Sequence, residues 1–311
     1  MTYNLQALTT PPAPETIKQY IEDPGLVGRR RVKMVGAGAG LLFCVGIAVF
    51  AMGGPSKDAS SSLFAAVIAG VVAIGFLAAI AYQARVEKTR SVKLSHFAAD
   101  NGFEFAQFTA NPLHAGMFFN KGNERTAQNI ISGTVGQSPF ELGNYKYAIG
   151  SGRNRRAYSM GYVRIQLERH LPHMVLDSVK NNSAAFGLRV SNLPAGIDAN
   201  QRLQLEGDFN EHFTLYVPKG YEKDALYVFT PDLMALLIDT IAAYDVEIID
   251  NQCFIYLPKT VNFDDPAVMQ DTLRIIEVIG QKTINRTDRY VDDRLNDTTM
   301  GSVGIDGQRL R

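Results

Sequence analysis

The chain has no tryptophan and only two cysteines among its 311 residues. Without Trp, the commonest anchor at a membrane interface is missing. Cys44 sits in an apolar run and Cys253 in a predicted strand, far apart in sequence. Two separated cysteines exclude a disulfide framework, suit a reducing compartment, and read as small buried hydrophobes. Neither sign of charge prevails: 31 basic side chains face 31 acidic ones, for a net charge of zero. That balance gives no general attraction to a polyanion, so nucleic acid is not an expected partner. The sequence also lacks Gly-x-Ser-x-Gly, His-Glu-x-x-His and Gly-x-x-x-x-Gly-Lys-Ser/Thr. Nothing therefore names a catalytic chemistry, and no cofactor or metal is expected.

Charge is absent altogether from two stretches, Met34–Met52 and Leu63–Tyr82. Each is long enough, at about 1.5 Å per helical residue, to cross a hydrocarbon core of about 30 Å. Only residues 53–62 separate them, with Gly54-Pro55 and Ser60-Ser61-Ser62 as turn signals. The expectation is a transmembrane helical hairpin, 34–52 and 63–82. Arg29, Arg30, Arg31 and Lys33 precede the first span; Arg85, Lys88, Arg90 and Lys93 follow the second. The positive-inside rule then places both termini in the cytoplasm of a multi-pass protein of the cell's inner membrane. A cleaved signal peptide fits poorly, because the leader is long and no small-x-small site closes the first span. Gly36 and Gly40, and Ala66 and Gly70, are spaced four apart. Such faces let helix backbones approach within lipid, either closing the hairpin on itself or joining copies of the chain in a homo-oligomer. No ionisable residue interrupts either span, which argues against an ion or proton path through the hairpin.

Residues 1–33 read as a cytoplasmic N-terminal arm, with a Thr/Pro/Ala linker and a short helix over Pro14–Ile21. The second span is expected to continue as helix to Ala99 and to stop at Asp100-Asn101-Gly102. Alternating segments then predict strands over 104–108, 126–135, 140–149, 157–167, 173–177, 202–206 and 213–217, with a short helix over Pro112–Phe119. Thr230-Pro231-Asp232 and Asp265-Pro266 each carry the start signals of a helix. Between those helices, 246–249 and 253–257 flank Asp250-Asn251-Gln252 as a predicted hairpin. Many strands without βαβ alternation give the fold class: α+β, a mostly antiparallel β-sheet packed against one or two long helices. Residues 83–284 form this cytoplasmic domain, and 285–311 a polar, flexible tail.

Three clusters invite a chemical reading. His170, His173 and Asp177 are the densest candidate metal ligands, but Pro172 forbids the helix that would align them, and a packed or hydrogen-bonded His173 fits better. Glu206 to His212 groups acids with Asn210 and a histidine, without the spacing of a calcium loop. Gly150–Arg156 joins two strands and presents Arg153, Arg155 and Arg156, a candidate contact for an anionic headgroup or phosphate.

The runs Leu205-Glu206-Gly207-Asp208-Phe209-Asn210-Glu211-His212, Thr230-Pro231-Asp232-Leu233-Met234, Leu171-Pro172-His173-Met174 and Phe140-Glu141-Leu142-Gly143-Asn144-Tyr145 resemble bacterial membrane proteins of unknown function. Those proteins have two N-terminal spans and one cytoplasmic domain, and the likeness extends over residues 30–311. It implies architecture and an inner-membrane location, and it carries over no catalytic residue. The expected function is a non-enzymatic, membrane-tethered binding or scaffold module, in contact with the lipid bilayer and a protein partner. The alternatives are handling of a lipid or envelope-linked ligand by a cavity or by the basic loop, and an enzyme of unknown class.

Overall fold

The computed structural model describes residues 2–28, 59–185, 188–190 and 201–292, together with Gly38, Gly46, Val303 and Ile305. It divides into two compact units, Thr10–Lys93 on one hand and Met1–Thr9 with Leu94–Arg311 on the other. Helices α1 (Gln6–Thr9) and α2 (Pro14–Gln19) precede a 42-residue helix, α3 (Ala59–Asp100). Among the described residues α3 holds the one stretch, Gly70–Asp100, long and apolar enough to cross a membrane. Val67, Val71, Ile74, Leu77 and Tyr82 all stand exposed along it. The predicted first span, 34–52, lies outside the described residues except for Gly38 and Gly46, which are helical. The helix expected to continue to Ala99 is observed to run to Asp100. Helix α3 ends in a Schellman turn: Gly102 takes a φ of 71°, and the N–H groups of Phe103 and Gly102 bond the carbonyls of Ala98 and Ala99.

The larger unit is built on a seven-stranded antiparallel sheet. Strands β1 (Glu104–Ala110), β2 (Asn123–Val135), β3 (Ser138–Ile149) and β4 (Arg156–Ser178) form a meander. A separate two-stranded ribbon, β5 (Ser183–Ala185) and β6 (Leu188–Val190), follows. Then come β7 (Arg202–Leu203), the turn α4 (Phe209–His212), β8 (Phe213–Tyr216), α5 (Glu222–Val228), α6 (Pro231–Ile241), β9 (Asp245–Leu257) and α7 (Pro266–Thr287). Strand β4 is the spine of the sheet: β9 runs along one side of it, and β3 and then β8 share the other.

Helices α6 and α7 cover one face of the sheet. Leu233, Leu237 and Ile241 of α6 and Leu273, Ile276 and Ile279 of α7 are buried at helical spacing with Ile131, Leu142, Val163, Ile165 and Ile255 of the strands. Gly280 allows α7 to come close, since a Cβ there would lie 2.4 Å from Ser138 Oγ. The carboxylate of Asp265 caps α7 by accepting from the N–H groups of Ala267 and Val268, 2.9 and 3.3 Å away. Thr230 stands at the N-cap of α6 as expected, but its hydroxyl makes no cap bond.

Three expectations are corrected. The strands predicted over 157–167 and 173–177 are one strand, β4. Pro172, which has no N–H to give, falls where the register of β4 against β9 shifts, so the ladder bulges without breaking. The hairpin predicted at Asp250-Asn251-Gln252 is instead the middle of β9. Asp250 adopts a φ of 56° opposite that bulge, and Gln166 Nε2 donates to the Asn251 carbonyl at 2.9 Å. The short helix predicted over Pro112–Phe119 is an irregular segment, because the N–H of Met117 goes to the Glu247 carboxylate instead of a helical carbonyl.

The N-terminal arm is not free over its first residues. Leu8 is 1% exposed and belongs to the main core; Tyr3 packs on Phe103; Asn4 and Asn101 exchange two hydrogen bonds of 2.8 and 2.9 Å. Nor is the start of the tail loose. Helix α7 runs to Thr287, the Arg286 guanidinium lies 4.1 Å over the Tyr227 ring, and Tyr290 donates to Asp224. Farther on, the Val303 carbonyl accepts from the His173 N–H.

Candidate functional site: the aromatic face of the sheet

The face of the sheet turned away from α6 and α7 is aromatic. Tyr145 and Tyr147 of β3, Tyr162 of β4, and Phe254 and Tyr256 of β9 are buried there together with Phe118 and Phe119. Residue alternation along adjacent strands puts them on one side, and Tyr162 and Tyr256 are direct cross-strand partners. The cover is the irregular segment of residues 111–122. Gly116 brings it down so closely that a Cβ would meet the Tyr256 hydroxyl at 2.3 Å. Phe119 sits edge-on to Tyr162 at 5.1 Å, and His114 edge-on to Phe119 at 4.7 Å.

Two carboxylates hold this cover, Glu247 buried and Glu141 partly buried, each with a histidine and a tyrosine. Glu141 accepts from the Tyr162 hydroxyl at 2.6 Å, pairs with His114 Nε2 at 2.8 Å and reaches Arg164 at 3.4 Å. Burial pushes its carboxyl up. The hydrogen bonds and charges of His114, Tyr162 and Arg164 outweigh burial and bring it down to about 2. Glu247, fully buried, accepts from Tyr256 at 2.5 Å and from the Met117 N–H, and pairs with His173 Nε2 at 2.6 Å. Nδ1 of His173 accepts from the N–H of Ile305 at 3.2 Å. Burial raises the Tyr162 and Tyr256 phenols well above their ordinary value. Both carboxylates are thus spent on holding segment 111–122 and neighbouring chain.

These clusters were not anticipated, because their members lie far apart in sequence: Glu141 with His114, and Glu247 with His173. The histidines that were singled out part company. His173 joins Glu247, while His170 pairs with Asp250 in the bulge. Asp177 accepts from Asn182 Nδ2 at 3.4 Å. The Glu206–His212 stretch forms the α4 turn, with Phe209 in the core and Asn210 bonded to both backbone groups of Leu205. Among the described residues no three His, Cys, Asp or Glu side chains converge as metal ligands.

The arginines of the predicted basic loop are at the tip of the β3–β4 hairpin, where residues 151–159 are all exposed. Arg153 lies in a short 3-10 turn and Arg156 opens β4. Arg155 turns aside to make two bonds, of 3.1 and 2.7 Å, with Glu124 of β2. Of the small residues proposed for helix packing, Gly36 and Gly40 and the side chain of Ala66 lie outside the description. Gly70 is exposed on α3 with nothing within 4 Å of a Cβ placed there.

No family model matches the chain, and no curated protein matches it. Among solved structures, the crystal structure of the mycobacterial trehalose monomycolate transport factor A, TtfA, aligns at a TM-score of 0.38 and 11% identity, over 61% of this chain and 96% of that one. A likeness this loose bears on neither fold detail nor function.

Proposed function

We propose that the chain is a membrane-tethered binding module, held in the cell's inner membrane by the 34–52 and 63–82 hairpin with both termini in the cytoplasm. The observation that carries this reading is Leu8. Residues 2–9 and the sheet share one hydrophobic core, so both stand on the same side of any membrane. A chain that leaves this core, crosses the bilayer in α3 and returns to the same core must cross an even number of times. The apolar run of 34–52 supplies the second crossing, and the arginines and lysines flanking the pair set its direction.

Binding in place of catalysis is favoured by the aromatic face, whose carboxylates and histidines are consumed in holding structure. Handling of a lipid-like ligand is the second reading, and the exposed aromatic and basic tip favours it. Labelling of one introduced cysteine at a time on intact cells tests the topology, with Cys44 replaced and Cys253 shielded in the core. Ser60→Cys should react with an impermeant maleimide from outside, whereas Thr2→Cys and Ser151→Cys should react only after permeabilisation. Outside labelling at both Ser60→Cys and Ser151→Cys would overturn the proposal. Mild extraction of the intact protein after crosslinking tests binding, with crosslinks expected on the sheet domain and not on the spans.

A further inference from the structure

The aromatic face does not end where its cover ends. Beyond Tyr147 the β3–β4 hairpin runs out into solvent, and its side chains on that face change character in order. Tyr158 stacks on Tyr147, with ring centroids 5.1 Å apart and planes 14° apart, yet remains 41% exposed. Next comes the cross-strand pair of Ile149, 46% exposed, and Arg156. Arg153 follows in the tip itself. A buried aromatic core thus grades into an exposed tyrosine, an exposed isoleucine and then two arginines. The same end of the sheet carries Lys121, Arg125 and Arg155 beside Glu124, in a chain whose net charge is zero.

The arrangement separates two kinds of anion. A discrete phosphate is held by donors that converge on it. Here Arg155 is withdrawn to Glu124 and Arg125 Nη1 donates to the Phe119 carbonyl, so the arginines of this end do not converge. A charged surface needs no convergence. It rewards several cations spread over one end, with amphipathic and apolar side chains between them to enter the headgroup layer. Tyr158 is already fixed by its stack, so little rotamer freedom is lost on contact. The Arg155–Glu124 pair ties the hairpin to β2 and keeps the tip presented.

We propose that this tip docks on an anionic bilayer surface, with Tyr158 and Ile149 entering the headgroup layer and Arg153 and Arg156 meeting lipid phosphates. The proposal rests on the membrane-tethered reading above and adds the surface by which the domain would meet lipid.

The test uses the full chain, with Cys44→Ala and Ser151→Cys, labelled at the tip with an environment-sensitive dye. The labelled protein is reconstituted in nanodiscs of phosphatidylcholine alone or mixed with phosphatidylglycerol. The expected result is a blue shift and severalfold stronger quenching by spin-labelled lipid in the anionic discs. Both should be lost in high salt and in R153E/R156E, and weakened in Y158S. All three positions are exposed, so hydrogen exchange in α7 should be unchanged in these variants and a general loss of fold is detectable. Equal quenching in both lipids, or quenching that survives R153E/R156E, overturns the proposal. So does a dye shift in neutral discs produced by inorganic phosphate but not by chloride of the same ionic strength, which would mark a discrete anion site. A chain that alkaline carbonate strips from membranes refutes the tethered reading itself; a chain that stays integral but whose tip ignores lipid charge refutes only the docking.

Discussion

Replacing Leu8 with alanine probes the contact on which the topology rests. The Leu8 side chain is buried with Leu94, Phe97 and strand residues in the main core. Truncating a core leucine to alanine costs roughly 2–5 kcal/mol. Other ties of the segment include the Asn4–Asn101 exchange of two hydrogen bonds, at about 1 kcal/mol each, the Tyr3–Phe103 contact, at about 1 kcal/mol, and the partly buried Leu5 and Ala7. Against them stands the entropy of ordering residues 2–9, about 1 kcal/mol or more for each. The margin that keeps the segment docked is therefore smaller than the cost of Leu8→Ala. The expected outcome is local undocking, not global unfolding. In hydrogen exchange followed by mass spectrometry, the peptide of residues 2–9 should lose its protection, while β3, β4 and β9 keep theirs. Asn101→Ala should produce a weaker version of the same effect. If residues 2–9 exchange freely in the unmodified chain, or if Leu8→Ala leaves their protection intact, the segment is not held by the core and the argument from parity fails.

Removing Glu247 with Glu247→Ala strands the Tyr256 hydroxyl, the Met117 N–H and His173 in a dry interior, and should lower stability by about 3–5 kcal/mol. Urea denaturation measures this, and an unchanged midpoint would show that the cluster does not hold the cover. Glu141, depressed from 4.5 to about 2 in the folded chain, contributes stability above pH 4.5 that is lost as pH falls towards 2. The loss amounts to at most ~3 kcal/mol, at roughly 1.4 kcal/mol per unit. Glu141→Gln should flatten that acid limb, and a limb of the same depth in the variant would assign it to other groups. Cys253, wholly buried with its thiol pushed up to about 12, should resist maleimide in the native chain and react only in denaturant. Asp265→Ala should cost about 1 kcal/mol through the lost cap, and Thr230→Ala, whose hydroxyl caps nothing, distinctly less. Equal losses in thermal melts would contradict the observed cap geometry.

What could be read from the sequence was whatever is local. The helix starts at Pro231 and Pro266, the stop at Gly102 and the first three strands follow from caps, turn residues and period-two patterning within a few positions. The errors share a cause, which is that a distant partner outbid a local signal. Asp250-Asn251-Gln252 has the composition of a turn, but the bulge in β4 takes up the irregularity and β9 runs on. Residues 112–119 have the pattern of a short helix, but Glu247, more than a hundred positions away, takes a backbone N–H that the helix would need. Leu8 gives no local sign of burial, since its partners lie beyond both apolar runs. The candidate site divides along the same line. The basic tip could be found because its residues are consecutive, and the Glu–His–Tyr clusters could not, because only the β2–β3–β4–β9 pairing brings them together.

Those clusters explain why the aromatic face is shut over most of its area and open at one end. A cover without regular structure must find partners for its own polar groups elsewhere, or it will not stay buried. Each partner here comes from the sheet or its flank. Glu247 takes the Met117 N–H, Glu141 takes His114, and Arg125 and Tyr145 donate to the Phe119 carbonyl at 2.8 and 3.2 Å. A ligand seeking the inner aromatics would have to break these bonds together, two of them made to carboxylates, before gaining any contact. Tyr158 and Ile149, by contrast, stand 41% and 46% exposed. On the binding reading proposed above, a partner is expected to meet the domain first at the hairpin tip, and variants that loosen the cover should change binding only when the ligand is small enough to pass beneath it.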